Sequence, residues 1–118
     1  MYTVRAQARY VGLSAQKARR IVNMVRGRPA LEALNMLNLM PHLSARPVAK
    51  LLRTAIADAE ENFELDRNDL VVQQAYADEG PRRKWRRFGA RGRFKPLLRR
   101  STHITIVLAE EEGAADGA

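Results

Sequence analysis

The chain has 118 residues, a length typical of one domain, and 46% of them are hydrophobic, which is enough for a folded core. It contains no cysteine, which excludes disulfides, thiolate metal sites and cysteine nucleophiles. No apolar run reaches the length of a membrane span and the first residues lack a signal-peptide core, so we expect a soluble intracellular protein with no membrane partner. The formal net charge of +8 points to a polyanionic partner.

The first predicted element is a strand over residues 3–10, where apolar and polar residues alternate. The residues expected to face inward are Val4, Ala6, Ala8 and Tyr10. The residues expected on a basic outer face are Arg5, Gln7 and Arg9.

Three amphipathic helices are predicted next. The first is capped by Ser14 and ends at Gly27; the second starts at Pro29 and stops before Pro41. Ser44 is expected to cap the third and longest helix. The core positions of the first two helices are Ala18, Ile21, Val22 and Val25, then Ala30, Ala33, Leu34 and Leu37. Those of the third are Val48, Leu51, Leu52, Ala55, Ile56, Ala59 and Phe63.

Two further strands flank a strongly basic segment. One runs from Leu70 toward Asp78 and the other covers residues 102–108. The intervening residues 82–100 hold ten basic side chains and no acid, with Gly89 and Gly92 near the middle. A strand, a glycine-containing basic stretch and a second strand predict one long antiparallel hairpin over about residues 77–103.

These elements predict an α+β fold in which three helices pack on a small antiparallel sheet and one long basic hairpin projects from the globular body. We expect a single domain over residues 1–110. Residues 111–118 are acidic and small, which is typical of a disordered tail.

The charge of the hairpin indicates nucleic-acid binding. A two-stranded ribbon is marginally stable by itself, and ten cations weaken it further, so a polyanion must offset the repulsion. Eight of the ten are arginines, which grip phosphates bidentately and stack on bases. Trp85, Phe88 and Phe94 are interleaved with them and suit stacking on unpaired bases. Lys17 lies in the first turn of a helix, where a bound phosphate would offset an unfavourable dipole interaction.

Other interpretations fit less well. Residues 89–92 match a GxxG loop, but their flanks are extended rather than helical. Residues 26–29 join two helices, yet the second helix has no side chains suited to reading a DNA groove. No nucleophile, base and orienting group come together, so neither nuclease nor other enzyme activity, and no metal or cofactor, is expected. A free nucleic-acid chaperone or architectural DNA-binding protein remains an alternative.

Several short motifs follow one another over about residues 4–108: Ser14-Ala15-Gln16-Lys17-Ala18-Arg19, Arg26-Gly27, Ala55-Ile56-Ala57-Asp58-Ala59-Glu60, Asp78-Glu79-Gly80-Pro81, Gly92-Arg93 and His103-Ile104-Thr105. Together they resemble the bacterial family of large-subunit ribosomal protein twenty-two. The resemblance implies a non-enzymatic structural protein of the large ribosomal subunit, located in the cytoplasm. Its hairpin would thread through several domains of ribosomal RNA (rRNA) and its tip would line the nascent-chain exit tunnel.

The resemblance and the charge pattern together define an expected rRNA-binding set. Lys17, Arg19, Lys84, Arg91, Arg93 and Arg100 carry over from the family motifs, and the remaining members are added from charge and position. The full set is Arg5, Arg9, Lys17, Arg19, Arg20, Arg26, Arg82, Arg83, Lys84, Trp85, Arg86, Arg87, Arg91, Arg93, Lys95, Arg99, Arg100 and His103. The expected tunnel tip is Phe88, Gly89, Ala90, Arg91, Gly92 and Arg93. Neighbouring ribosomal proteins and the nascent polypeptide are further implied partners, and no homo-oligomer is expected.

Overall fold

The computed structural model describes residues 3–80, 83–88, 94–99 and 101–110, and the side chains of residues 3–80 and 101–110. The elements in chain order are β1 (Thr3–Val11), α1 (Ala15–Val25), α2 (Ala30–Leu39), α3 (Ala45–Phe63), a 3₁₀ turn (Arg67–Asp69), β2 (Leu70–Glu79), β3 (Arg83–Phe88), β4 (Phe94–Arg99) and β5 (Thr102–Glu110). This arrangement confirms the predicted α+β fold.

Strand β5 lies at the centre of a three-stranded antiparallel sheet with the order β1-β5-β2. Its residues Ile104, Ile106 and Leu108 are fully buried and belong to the same core cluster as the apolar faces of the helices. Helix α3 packs on β1 and β5, and α1 packs on β2. Among the alternate residues, His103 and Val107 are partly exposed but Thr105 is fully buried, so the second face of the sheet is only partly open.

The apolar periodicity correctly locates the core of the helices, with two exceptions. Leu34 in α2 is only partly buried, although it packs against the core. The predicted core residues of α1 are all buried, as are those of α3 from Val48 to Ala59. Phe63 was predicted to be buried, but it is 46% exposed. It is the last residue of α3, and Glu64 then adopts a left-handed conformation (φ 53°), so Phe63 lies beyond the last buried turn.

The two predicted helix caps behave differently. The Ser14 Oγ accepts a hydrogen bond from the Lys17 amide at 3.4 Å, and Gly27 has the positive φ (82°) expected beyond the end of a helix. The prediction for Ser44 is wrong, because this residue has helical dihedral angles and makes no side-chain capping bond. A preceding turn already satisfies two of the amides, since Ala45 N donates to His42 O and Arg46 N to Leu43 O.

The prediction that Tyr10 faces inward is also wrong. Pairing of β1 with β5 is regular from Thr3 to Ala8 and then shifts before Val11, so Arg9 and Tyr10 together lie opposite His103. Tyr10 has a φ of 56° and is 61% exposed. The extra residue of this β-bulge interrupts the alternation that would have placed the tyrosine in the core.

The two strands of the basic hairpin pair with each other in a separate two-stranded sheet, which follows the pairing of β2 with β5 along the chain. The Gly80 amide donates to Ser101 O at 2.8 Å, and beyond this point β3 pairs with β4 from Arg83 opposite Arg99 to Phe88 opposite Phe94. Two residues lie between Gly80 and Arg83 on one strand, but only one lies between Arg99 and Ser101 on the other. The register of the pairing therefore differs by one residue between the two sides of the hairpin root. The predicted tip at residues 89–93, the cations Arg82 and Arg100, and the predicted tail at residues 111–118 lie outside the described residues.

Leu52→Ala is expected to destabilise the protein by about 2–5 kcal/mol, because Leu52 is fully buried in the middle of α3 and its truncation leaves a cavity. Denaturant unfolding measures this change. Leu39→Ala is the matched control: Leu39 is 84% exposed, so its loss should change stability by less than about 0.5 kcal/mol. Similar effects of the two substitutions would contradict this assignment of the core.

Candidate nucleic-acid interface

Helix α1 and the residues that follow it lie along the outer edge of β2 and form hydrogen bonds with backbone groups of that edge strand. The Arg19 Nε donates to Ala77 O at 3.1 Å, and the Arg26 guanidinium donates to Ala75 O. Farther along, Gly27 N donates to Val72 O and Val72 N donates to Arg28 O. These bonds occupy the groups with which an edge strand would otherwise pair with another chain. They also fix the basic helix relative to the strand that leads into the hairpin.

Arg19 and Arg26 therefore have a structural role that their spacing in the sequence did not reveal. Both residues remain exposed. Within the described part of the chain, the terminal Nη1 and Nη2 groups of Arg19 have no hydrogen-bond partner. Arg19 can therefore contact a phosphate through its Nη groups while its Nε donates to the edge of β2.

The other predicted contacts on the globular body form an exposed set of cations on β1 and α1. Arg5, Lys17 and Arg20 are exposed, and within the described part of the chain their side chains make no hydrogen bond or ion pair. Arg9 is also exposed, and its Nε donates to Gln7 Oε1 at 3.2 Å. Positive side chains that no carboxylate neutralises are suited to phosphate contacts.

A small polar cavity lies where α1 begins and the hairpin leaves the sheet. It has a volume of about 290 Å³ and its lining residues are Ser14, Ala15, Gln16, Arg19, Glu79, Gly80 and Ser101. The lining carries both a cation and a carboxylate. Among the residues that the structure describes, no group of three or more His, Asp or Glu residues could hold a metal ion.

Gly80 lies in close contact with the opposite strand. A Cβ atom on Gly80 would lie 2.4 Å from Ser101 Oγ, so the serine side chain would have to move, and 3.2 Å from the Ser101 carbonyl carbon, a tight contact with the backbone. The absence of a side chain therefore lets β2 and β5 stay paired up to the hairpin root.

The hairpin residues of the predicted set are located by backbone register. Trp85 pairs with Leu97, Lys84 with Leu98 and Arg86 with Pro96. Two pairs bring like charges to opposed positions: Arg83 with Arg99, and Arg87 with Lys95. The remaining predicted residues lie outside the described residues; they are Arg82, Gly89, Ala90, Arg91, Gly92, Arg93 and Arg100.

Comparison with known proteins identifies the family. The model of the family described as ribosomal protein L22p/L17e matches residues 6–109. The chain belongs to this family. It is 46% identical over 112 residues to the large ribosomal subunit protein uL22 of Synechococcus sp. (strain JA-3-3Ab), with 95% of this chain and 91% of that protein covered. It is also 46% identical over 116 residues to uL22 of Thermomicrobium roseum, with 97% and 98% covered.

Membership of the ribosomal protein L22p/L17e family confirms the resemblance found in the sequence. The protein is a structural constituent of the ribosome, in the cytoplasm, and not an enzyme. No helix within the described residues has the length and apolar character needed to cross a membrane.

Gly80→Ala is expected to destabilise the protein by about 1–3 kcal/mol, because the added methyl group overpacks the contact with Ser101. Thermal or denaturant unfolding of the full chain measures the effect. Gly12→Ala is the control, since a Cβ on Gly12 meets no atom within 4 Å. Equal free energies of unfolding for the two variants would show that β2 and β5 can move apart at the hairpin root without loss of stability.

Proposed function

We propose that this ribosomal protein binds the rRNA of the large subunit through its basic hairpin and the basic surface of β1 and α1. The relatives are named as proteins of the large ribosomal subunit, which supports that location. Binding would support assembly of the subunit by holding distant RNA segments against one protein. The RNA-binding unit is the domain of residues 1–110, with residues 111–118 forming a tail outside it.

The observation that carries this proposal is the register of the hairpin. Like charges directly opposite each other on paired strands are destabilising, and the pairing of β3 with β4 creates this situation at Arg83 with Arg99 and at Arg87 with Lys95. No acid lies within residues 82–100 to neutralise them. Phosphates placed along both strands would convert the repulsion into attraction, so the paired hairpin is the form that RNA binding stabilises.

The residue types favour RNA with unpaired segments over a uniform DNA duplex. Arginine recognises phosphates bidentately and stacks on exposed bases, and Trp85, Phe88 and Phe94 add aromatic rings at intervals along the hairpin. A free nucleic-acid chaperone would use the same residues, but it would bind weakly and lose its affinity at moderate salt.

The proposed position of the tip follows from the family and from the length of the hairpin. At about 3.3 Å per residue, β3 from Arg83 to Phe88 spans about 17 Å. A cationic arm of this length reaches well into folded RNA while the globular body stays at the surface. We propose that residues 88–93 line the nascent-chain exit tunnel at the end of this arm.

Replacing three hairpin cations should reduce the salt dependence of rRNA binding. For the variant Lys84→Gln, Arg86→Gln, Arg87→Gln, the slope of log K against log salt should fall by about 2–3, since each phosphate contact contributes about 0.7–0.9. The measurement is filter binding of the full chain to a large-subunit rRNA transcript over a range of salt concentrations.

The matched control removes the same charges from the globular body. Arg46→Gln, Lys50→Gln, Arg53→Gln also replaces two arginines and one lysine, all exposed on α3 and outside the proposed interface. Its slope should stay close to that of the unmodified protein. Equal losses for the two variants would indicate unspecific attraction by net charge and would contradict the proposed interface.

A further inference from the structure

The β-bulge near the end of β1 exposes an aromatic ring at a strained backbone position. Tyr10 has a φ of 56°, a left-handed conformation that residues with a Cβ atom seldom adopt. The side chain is 61% exposed. Burial of the ring in the core therefore does not account for a bulky residue at this position, and strained residues of this kind cluster at binding sites.

His103 on the opposing strand holds Tyr10 in place. The Tyr10 amide donates to His103 Nδ1 at 3.1 Å, which requires that Nδ1 carry no proton. The two rings meet edge to face, with their centroids 4.9 Å apart and an angle of 88° between their planes. The tyrosine is thus fixed through both its backbone and its ring while most of its side chain remains accessible.

The bulge lies next to the root of the hairpin. Val11, one residue beyond Tyr10, pairs with Thr102, and Thr102 also pairs with Glu79 at the end of β2. His103 is two residues from Ser101, or about 7 Å along the strand. RNA bound to the hairpin and to the first turn of α1 would therefore pass close to Tyr10.

The charges around the ring define an orientation for such a ligand. Arg9 lies beside Tyr10 in β1 and is exposed, whereas Asp78 pairs with His103 from the β2 side and is also exposed. A phosphate is therefore favoured on the β1 side, near Arg9, and disfavoured near Asp78. A nucleotide with its phosphate at Arg9 can place its base on the face of Tyr10.

We propose that Tyr10 stacks on an unpaired rRNA base, with Arg9 contacting the adjoining phosphate and His103 acting as the positioning residue for the tyrosine. This inference rests on the proposed function, because it assumes that rRNA covers the hairpin root. It assigns a base contact to a residue that the sequence pattern placed in the core. It also gives His103 a role through Tyr10 in addition to any direct RNA contact.

The test compares three variants of the full chain bound to a large-subunit rRNA transcript. Tyr10→Asn removes the ring and keeps a residue that tolerates a positive φ, so the melting temperature should be maintained or raised. Its affinity should fall about 5- to 150-fold, the range expected from about 1–3 kcal/mol per stacked base. Tyr10→Phe should bind within about twofold of the unmodified protein, because it keeps the stacking ring. Phe63→Asn, which removes a ring that is 46% exposed at the end of α3, should leave binding unchanged.

Ultraviolet crosslinking provides a second readout that a purely structural role would not affect. The unmodified protein should crosslink to rRNA at Tyr10. His103→Ala should reduce this crosslink, because the tyrosine then loses the amide bond and the ring contact that position it.

Unchanged affinity of Tyr10→Asn together with no crosslink at Tyr10 would overturn the stacking contact and leave the proposed function standing. An equal loss for Tyr10→Phe and Tyr10→Asn would also overturn it, as would a crosslink from Tyr10 to a protein in assembled subunits. Failure of the unmodified chain to bind the transcript would instead contradict the proposed function itself.

Discussion

Strand β5 is hydrogen-bonded on both sides, to β1 and to β2, and the bond from the Gly80 amide to Ser101 O extends its contact with β2 to the hairpin root. This shared pairing connects the core of the protein to its basic arm. The buried side chains of β5 pack against the helices, while the residues at the beginning of the strand pair with β2 at the hairpin root. Weakening the contact at Gly80 would therefore affect the direction of the arm as well as the stability of the sheet.

Charge is divided between two parts of the molecule that are stabilised in different ways. The globular body is held together by apolar burial and by arginine side chains that donate to the edge of β2. The hairpin carries ten positive charges without an acid, and its register opposes like charges. In the proposed function, the phosphates of bound rRNA offset this repulsion and stabilise the paired form. A folded body and an arm stabilised by RNA suit a protein that assembles together with RNA.

The apolar periodicity of the sequence was sufficient to predict the three helices, the three strands of the sheet and most of the core. It failed where tertiary contacts overrode the local pattern. The bulge that exposes Tyr10 depends on His103, a residue 93 positions away, and no local spacing indicates it. The bonds from Arg19 and Arg26 to the backbone of β2 likewise join distant segments, so their cations suggested RNA contacts alone. The charge of the hairpin was evident from composition. Its register shift was not, because it is found only by comparing the strand pairing on the two sides of the root.

Hydrogen exchange of the backbone amides, with and without a large-subunit rRNA transcript, tests the central claim most directly. In the free protein, the amides of β2 and β5 should be strongly protected, and those of residues 83–88 and 94–99 should exchange much faster. Binding of rRNA should slow exchange in these two hairpin strands and in the first turn of α1, while the turn between α2 and α3 stays unchanged. Hairpin amides whose exchange is unaffected by bound rRNA would contradict the account.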